Sequence, residues 1–211
     1  MGHKIQVFGN GDEIQLKNLG SGMKNVNISD NLRYIILSSE SRNHGVRLGK
    51  AMHTVEASAF ALDTNLTSVS SSKNISSIAE YAFYGCDKLT DVDIYSEKNE
   101  GLMFIGNYAF AKTGIQSLKL NLKGSVSDSA YGEFIFASCM NLQDVQLVRS
   151  SFIGPYMFDG CKNLRSVTIN NVHSYIYEGG FRGCTGLTKF TLPSNTYMIP
   201  DNFFEGCTNL N

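Results

Sequence analysis

The sequence predicts a solenoid, a stack of short coils of mixed α/β class in which β-strands dominate. Three observations indicate this fold. A phenylalanine recurs every 22 to 27 residues over most of the chain, and a cysteine stands three places after it in most copies. Each copy then ends in alternating apolar and polar residues, which is the period of a short strand with one buried face. Because a repeat of about 20 to 50 residues is typical of solenoids, we expect the coils to stack.

The first two elements of the repeated unit are an apolar residue and, five places later, the phenylalanine. Seven copies align, with their rings at Phe60, Phe83, Phe110, Phe136, Phe158, Phe181 and Phe204. The earlier apolar position holds Val55, Ile78, Ile105, Tyr131, Ile153, Ile176 and Ile199. One coil alone cannot enclose these side chains, whereas stacked neighbours can. We therefore expect the seven rings to form a single file along the molecule.

The third and fourth elements are a tight turn and a strand. The "AF-x-G-C" segment is too short for an isolated helix and predicts a single helical or 3₁₀ turn, which glycine ends at little conformational cost. The pattern L-x-x-V-x-I that follows predicts strands bonded in parallel at ~4.8 Å from coil to coil. The strand opens at Leu66, Leu89, Ile115, Leu142, Leu164, Leu187 and Leu210, the isoleucine belonging to a copy that is one residue shorter.

Two copies depart from the pattern. The first has Asp63 in the cysteine place and "SVSSSKN" where a strand is expected, and the third has Thr113 in the cysteine place. The longer spacings around Phe110 and Phe136 predict loop insertions near "YSEKNEGLM" and "NLKGSVSDSAYGE". We expect both insertions to project from one surface of the stack.

The N-terminal part, 1–54, predicts a cap hairpin and a degenerate repeat, ahead of about seven repeats in 55–211. The segment "KIQVFGNGDEIQL" alternates apolar and polar residues around "NGD", which predicts a hairpin. In "VNISDNLRYIIL" we place Val26 in the phenylalanine position and Leu32, Ile35 and Leu37 in the strand positions. The segment "SSESRNHGVRLGKAMH" is long enough for a further strand or loop.

The segments "IAEYAFYGCDKLTDVDI", "IGNYAFAKTGIQSLKL" and "IGPYMFDGCKNLRSVTI" resemble BspA-like leucine-rich repeats. The resemblance runs from about Val55 to Asn211. It implies a right-handed leucine-rich repeat superhelix whose short parallel strands line a concave face. The family includes bacterial surface proteins that take part in adhesion, so the resemblance also implies an exported or cell-attached protein.

The concave strand face is the binding site that the resemblance implies, for a protein or a glycan. The candidate residues are Asp91, Asp93, Tyr95, Lys119, Asn121, Asp144, Gln146, Thr168, Asn170, Lys189 and Thr191. The same residues also fit a strand face that is merely solvated. A hydrolase that uses Asp91, Asp93 and Asp144 is a further alternative, because two carboxylates ~5–9 Å apart can cleave a glycosidic bond.

Composition argues against two classes of partner. The formal net charge is −1 and the basic residues are scattered, so no positive field attracts nucleic acid or an anionic membrane. The apolar runs are far shorter than the ~20 residues that a membrane-spanning helix needs. The N-terminus shows no apolar core of a signal peptide, so the expectation of export depends on the resemblance alone.

The cysteines and histidines predict no reactive site. All five cysteines occupy the same repeat slot and are at least 22 residues apart, unlike the close pairs of a metal site. An odd number in one column predicts a buried ladder of free thiols. The histidines lack ligand spacing, and neither a nucleophile elbow nor a phosphate loop is present. We therefore expect no metal, no cofactor and no catalytic residue at Cys86, Cys139, Cys161, Cys184, Cys207, His3, His44, His53 or His173.

The sequence thus predicts a non-catalytic binding or adhesion module. A structural spacer within a larger surface protein is the alternative. The seventh copy stops at Leu210–Asn211, before its strand, so we expect either a longer parent chain or packing of this end against another chain. Self-association at that end is the form of packing that the chain could provide itself.

Overall fold

The computed structural model describes strands β1 to β5 and most of the chain beyond them. The strands are β1 (His3–Val7), β2 (Glu13–Leu16), β3 (Met23–Ile28), β4 (Tyr34–Leu37) and β5 (His44–Leu48), with side chains described from residue 45 onward. The further described ranges are 52–71, 75–94, 102–122, 130–148, 152–169 and 175–211. They contain β6 (Thr54–Val55), β7 (Leu66–Ser71), β8 (Ser77–Ile78), β9 (Asp91–Asp93), β10 (Phe104–Ile105), β11 (Ser117–Asn121), β12 (Asp144–Val148), β13 (Phe152–Ile153), β14 (Ser166–Ile169) and β15 (Tyr175–Ile176).

These strands form two rows, and every strand pair is parallel. The first row contains the sheets β1-β3-β5-β7-β9 and β11-β12-β14, and the second contains β2-β4, β6-β8-β10 and β13-β15. Strand β4 contacts β6, which continues the second row. The strand order in each row follows the chain order, so successive coils lie on one another. This is the mostly-β solenoid that the repeat predicts.

The N-terminal strands correct the predicted hairpin. Strand β1 pairs in parallel with β3, and β2 pairs in parallel with β4, so the strands on either side of "NGD" belong to different rows. Alternation of apolar and polar residues fits a strand of a coil as well as a strand of a hairpin, and coil stacking decides between them. The hairpin prediction is therefore wrong, whereas the division of the chain at 54 and 55 stays a prediction.

The predicted alignment of the degenerate copy with the repeat is also wrong. Val26 pairs with Val46 in β5, so it occupies a strand position and not the phenylalanine position. Ile35 and Leu37 lie in β4, in the second row, and Leu32 lies outside the described residues. No phenylalanine lies between Phe8 and Phe60 to mark the phase of the repeat. Strand β5 confirms the further strand expected in "SSESRNHGVRLGKAMH", and β7 forms although its sequence departs from the pattern.

The segment around each phenylalanine is a chain of turns, in which alternate N–H groups bond three residues back as in a 3₁₀ turn but no helix forms. In the first copy, the N–H groups of Ser58, Phe60 and Leu62 donate to carbonyls of the next coil at 2.7 to 2.9 Å. The alternate residues Ala59 and Ala61 donate within their own coil. Ser58 and Leu62 have positive φ, and the equivalent residues of later coils do too. A helix would keep all of these N–H groups inside one coil, so bonding between coils excludes it. The described residues contain no α-helix.

The phenylalanines form the predicted single file. From Phe60 to Phe204, neighbouring ring centroids lie 5.0 to 5.9 Å apart and neighbouring rings lie within 15° of parallel. Such pairs contribute ~0.5–1.5 kcal/mol each beyond the burial of their area. The leucine column lies beside them and is fully buried from Leu66 to Leu187. Both columns make one continuous core.

The last coil lies differently from the others. Residues 187–192 carry the strand pattern but form no strand, so β14 is the last described strand of the first row. The Phe190 ring packs against Phe181 and Phe204 at centroid distances of 5.0 and 5.4 Å. Ile199 is 49% exposed, whereas the equivalent Ile78 is completely buried. The prediction that Ile199 belongs to the core is therefore wrong, because no described coil covers it.

Candidate binding surface

The exposed side of the first row carries the predicted binding residues, and we call it the strand face. It consists of Asp91, Asp93, Ser117, Lys119, Asp144, Gln146, Ser166 and Thr168. The alternate residues, such as Leu118 and Val145, are buried. This alternation turns the polar side chains outward because successive residues of a strand point to opposite faces.

Strand register sorts the polar residues of β11, β12 and β14 into two columns. Ser117, Asp144 and Ser166 are paired in one column. The second column contains Lys119, Gln146 and Thr168. Neighbours within a column are ~4.8 Å apart, and the columns are separated by two residues of strand, or ~7 Å. The strand face thus presents a regular grid of charged, amide and hydroxyl groups.

One of the predicted residues is buried, and two others lie outside the described residues. Asn121 is 3% exposed, so its side chain is buried at the end of β11 and is not available on the strand face. Burial alternates along β11 only as far as Leu120, since Asn121 and Leu122 are both buried. Tyr95 and Asn170 lie outside the described residues, as do the larger parts of the two predicted insertions.

Four further predicted residues are exposed but stand apart from the grid. Asp91 and Asp93 belong to β9, which ends the five-stranded sheet, and no described pairing joins β9 to β11. The break coincides with the copy that is one residue shorter. Lys189 and Thr191 are exposed in a stretch without strand pairing. The predicted surface is therefore continuous only over β11, β12 and β14.

The cysteine slot is the buried ladder that the sequence predicts. All five thiols are free and buried. Each Sγ donates to the carbonyl of the phenylalanine of the preceding coil, as Cys86 does to Phe60 at 3.0 Å and Cys184 does to Phe158 at 3.2 Å. Burial raises the pKa of the Cys86 thiol to about 12 and also raises the pKa of Cys184. The Cys86 and Cys184 thiols are therefore structural hydrogen-bond donors that stay protonated at neutral pH.

No described group of side chains suits a metal. Among the residues that the structure describes, no three or more His, Cys, Asp and Glu side chains are placed to hold an ion. His53 is exposed. In the same part of the chain, no helix is long and apolar enough to cross a membrane.

The repeat matches that of a known protein family. A family model described as BspA type Leucine rich repeat region matches residues 18–131, 53–151 and 129–211, with six copies of the repeat. The chain belongs to the BspA type leucine-rich repeat family. The match begins before Val55, in agreement with the parallel coils that β1 to β5 form. Comparison with curated proteins gives no significant match.

Solved structures resemble the fold of this chain at low sequence identity. A leucine-rich repeat protein from Bacteroides ovatus is 21% identical with a TM-score of 0.50, over 89% of this chain and 63% of its own. The pneumococcal vaccine antigen PcpA is 11% identical with a TM-score of 0.50, over 80% of this chain and 54% of its own. A leucine rich cell surface protein from Faecalibacterium prausnitzii is 17% identical with a TM-score of 0.46, over 99% of this chain and 86% of its own. This chain thus spans less than two thirds of the Bacteroides ovatus protein and of PcpA.

An aromatic ladder on the outer turns of the BspA type coils is a feature that the sequence reasoning missed. Tyr81, Tyr108, Phe134 and Tyr156 stack with centroids 4.8 to 5.3 Å apart and planes within 6° of parallel. At one end, the Arg182 guanidinium lies 4.7 Å from the Tyr156 ring centroid, while its Nε donates to Asp159 at 2.8 Å. The signal was present as an aromatic residue two places before four of the phenylalanines.

A groove crosses the second row of the BspA type coils, and the sequence reasoning missed it as well. We call it the edge groove. Its volume is about 310 Å³, and the aromatic side chains of its lining come from four successive coils: Phe104, Tyr131, Phe152 and Tyr177. Glu80 and Glu133 also line it. Neither glutamate stands at a core position of the repeat, so the pattern gave no reason to single them out.

Proposed function

We propose that this chain is a non-catalytic binding module that contacts a protein or a glycan through its strand face. The observation that carries the proposal is the grid of exposed polar side chains on β11, β12 and β14. Lys119, Gln146 and Thr168 project in register from a core whose alternate residues are buried. A rigid, extended row of donors and acceptors suits a partner with a surface of its own more than a small molecule that needs a cavity.

Loops beside the strand face are proposed to add contacts. The insertions near "YSEKNEGLM" and "NLKGSVSDSAYGE" follow β9 and β11 in the chain. Loops positioned by a rigid scaffold commonly carry binding residues, and Tyr95 begins the first of these insertions. The right-handed sense and the concave shape of the superhelix are proposed on the family resemblance.

We also propose an extracellular or cell-surface location in a bacterium. Family membership supports this location, and the pneumococcal neighbour is itself a vaccine antigen. A negative net charge and scattered basic residues support a partner other than nucleic acid.

Exposure of the carboxylates argues against the hydrolase alternative. Asp91, Asp93 and Asp144 are all exposed on open strands. General acid catalysis by a carboxyl group uses a site that excludes water and raises its pKa. None of the three lines the edge groove.

Charge reversal on the strand face tests the binding proposal. We expect K119E and D144K to lower capture of a partner from an array of glycans and extracellular-matrix proteins by tenfold or more, with unchanged melting temperature, because both side chains are exposed. The matched control is K162E, which reverses the charge of an exposed lysine in the turn after Cys161, away from the strand face. A parent chain that captures nothing on the array would favour the spacer alternative.

Self-association is proposed at the last coil. Tyr197, Met198 and Ile199 expose 96%, 63% and 49% of their area, an apolar surface that a second copy could cover. We expect sedimentation velocity to show a concentration-dependent dimer that M198K weakens. A monomer at millimolar concentration would contradict this part of the proposal.

A further inference from the structure

The edge groove combines an apolar floor with negative charge at its rim. Phe152 lies between Tyr131 and Tyr177, with ring centroids 5.0 and 5.3 Å away. Glu80 and Glu133 are exposed at the rim, and Asn107 lies between them. The Asn107 side chain donates to Glu80 Oε1 at 3.4 Å, and its carbonyl oxygen accepts the Glu133 backbone N–H at 2.8 Å.

The two rim carboxylates are not neutralised by the part of the chain that the structure describes. Neither Glu80 nor Glu133 forms a salt bridge with a described residue. The coils also pack closely at the groove, because the lining positions Gly106 and Gly132 have no room for a Cβ against the backbone of the preceding coil. The groove therefore combines an aromatic lining with two carboxylates that form no salt bridge with a described residue.

We infer that the edge groove binds an arginine side chain of a basic peptide segment. An arginine has an apolar stem that aromatic side chains can cover and a planar cation that both stacks on rings and pairs with carboxylates. The chain already uses this combination once, where Arg182 stacks on Tyr156 and forms two hydrogen bonds with Asp159, at 2.8 and 3.1 Å. A neutral sugar would supply no opposite charge to either rim carboxylate. A volume of about 310 Å³ suits one long side chain.

This site is independent of the strand-face proposal, because it lies on the second row of strands and shares no residue with the strand face. Peptide capture at the groove requires no partner on β11, β12 or β14. The two proposals can therefore fail separately.

The test is titration of the full chain with fluorescein-labelled peptides that contain one, two or three arginines between glycines and serines, followed by fluorescence anisotropy. Matched peptides with citrulline in place of arginine keep the shape and remove the charge. We expect the arginine peptides to bind and the citrulline peptides to bind at least tenfold more weakly. Each of E80Q and E133Q should weaken arginine binding by about threefold, and the double variant by about tenfold.

Two controls locate the site. D144N removes one negative charge from the strand face and should leave arginine binding unchanged. In nuclear magnetic resonance spectra, the arginine peptide should shift the amide signals of Gly106 and Gly132 and not that of Ser117. Equal binding of citrulline peptides, no effect of E80Q and E133Q, loss of binding in D144N, or shifts confined to Ser117 would each overturn the inference.

Discussion

Each core phenylalanine joins its coil to both neighbours through its ring and through its backbone. The Phe158 ring stacks on Phe136 and Phe181 at 5.6 and 5.5 Å. Its N–H donates to the Gly180 carbonyl at 3.0 Å, and its own carbonyl accepts the Cys184 thiol at 3.2 Å. One residue type therefore satisfies the packing and the hydrogen bonding of three coils.

Truncation of this residue should be costly. We expect F158A to lower the free energy of unfolding by about 3–5 kcal/mol, from lost burial and from the cavity that the ring leaves. Urea denaturation followed by circular dichroism measures the loss. The control is M140A, where the side chain is 46% exposed and the expected change is within about 0.5 kcal/mol. Equal midpoints for F158A and the parent would contradict the packing of the file.

The buried Cys86 thiol should make stability fall at alkaline pH. Burial raises the Cys86 pKa from 9.0 to about 12 in the folded chain. Between these values the unfolded chain loses the thiol proton while the folded chain keeps it, so stability is fully present below pH 9 and falls by up to ~1.4 kcal/mol per pH unit above it. We expect the urea midpoint of C86A to fall less steeply than that of the parent between pH 9 and 10.5. Parallel pH profiles would show that Cys86 does not contribute.

At the scale of single elements, the turn segment depends on backbone conformations that side chains rarely adopt. Two positions per coil have positive φ, and glycine occupies only some of them; Tyr81, Tyr108 and Tyr156 occupy others. The rings of these tyrosines stack in the aromatic ladder, and the stacking offsets the cost of the positive φ angle. Where the ladder ends, Gly179 leaves space that the Tyr156 ring fills.

Two glycines in this element should differ in their tolerance of a methyl group. Gly160 and Gly179 both have positive φ, at 69° and 61°. A Cβ at Gly160 approaches only Ser138 Oγ, at 3.5 Å, whereas a Cβ at Gly179 would overlap the Tyr156 ring. We expect G160A to cost about 1 kcal/mol and G179A about 1–3 kcal/mol more, by thermal or urea denaturation. Equal losses would mean that the ring moves aside freely.

At the scale of the whole molecule, stability should pass from each coil to its neighbours. Backbone hydrogen bonds and ring stacking link consecutive coils, so disruption of one coil weakens the next most strongly. In hydrogen exchange followed by mass spectrometry, F158A should speed exchange in segments containing Phe136 and Phe181 more than in the segment containing Phe60. Uniform acceleration along the chain would indicate one cooperative unit without graded coupling.

The stacked coils, the phenylalanine file and the cysteine ladder are predictable from the amino-acid pattern alone. These features follow from apolar positions that recur at fixed offsets, because a repeated side chain in a stacked coil meets its own copies. The pattern also placed the outward residues of β11, β12 and β14, since alternation along a strand fixes which side chains leave the core. The predicted repeat position was wrong at Val26, where no phenylalanine marks the repeat. The predicted exposure was wrong at Asn121, where burial stops alternating along the strand.

Features that depend on contact between coils are visible only in the folded structure. Hydrogen bonding to the next coil makes the segment around each phenylalanine a chain of turns, and parallel pairing of β1 with β3 replaced the hairpin. The edge groove likewise arises from residues of several coils, none of which stands out within its own copy of the repeat. Local sequence records what one coil prefers, whereas the partner of each backbone group and the walls of each groove are set by the coil above and the coil below.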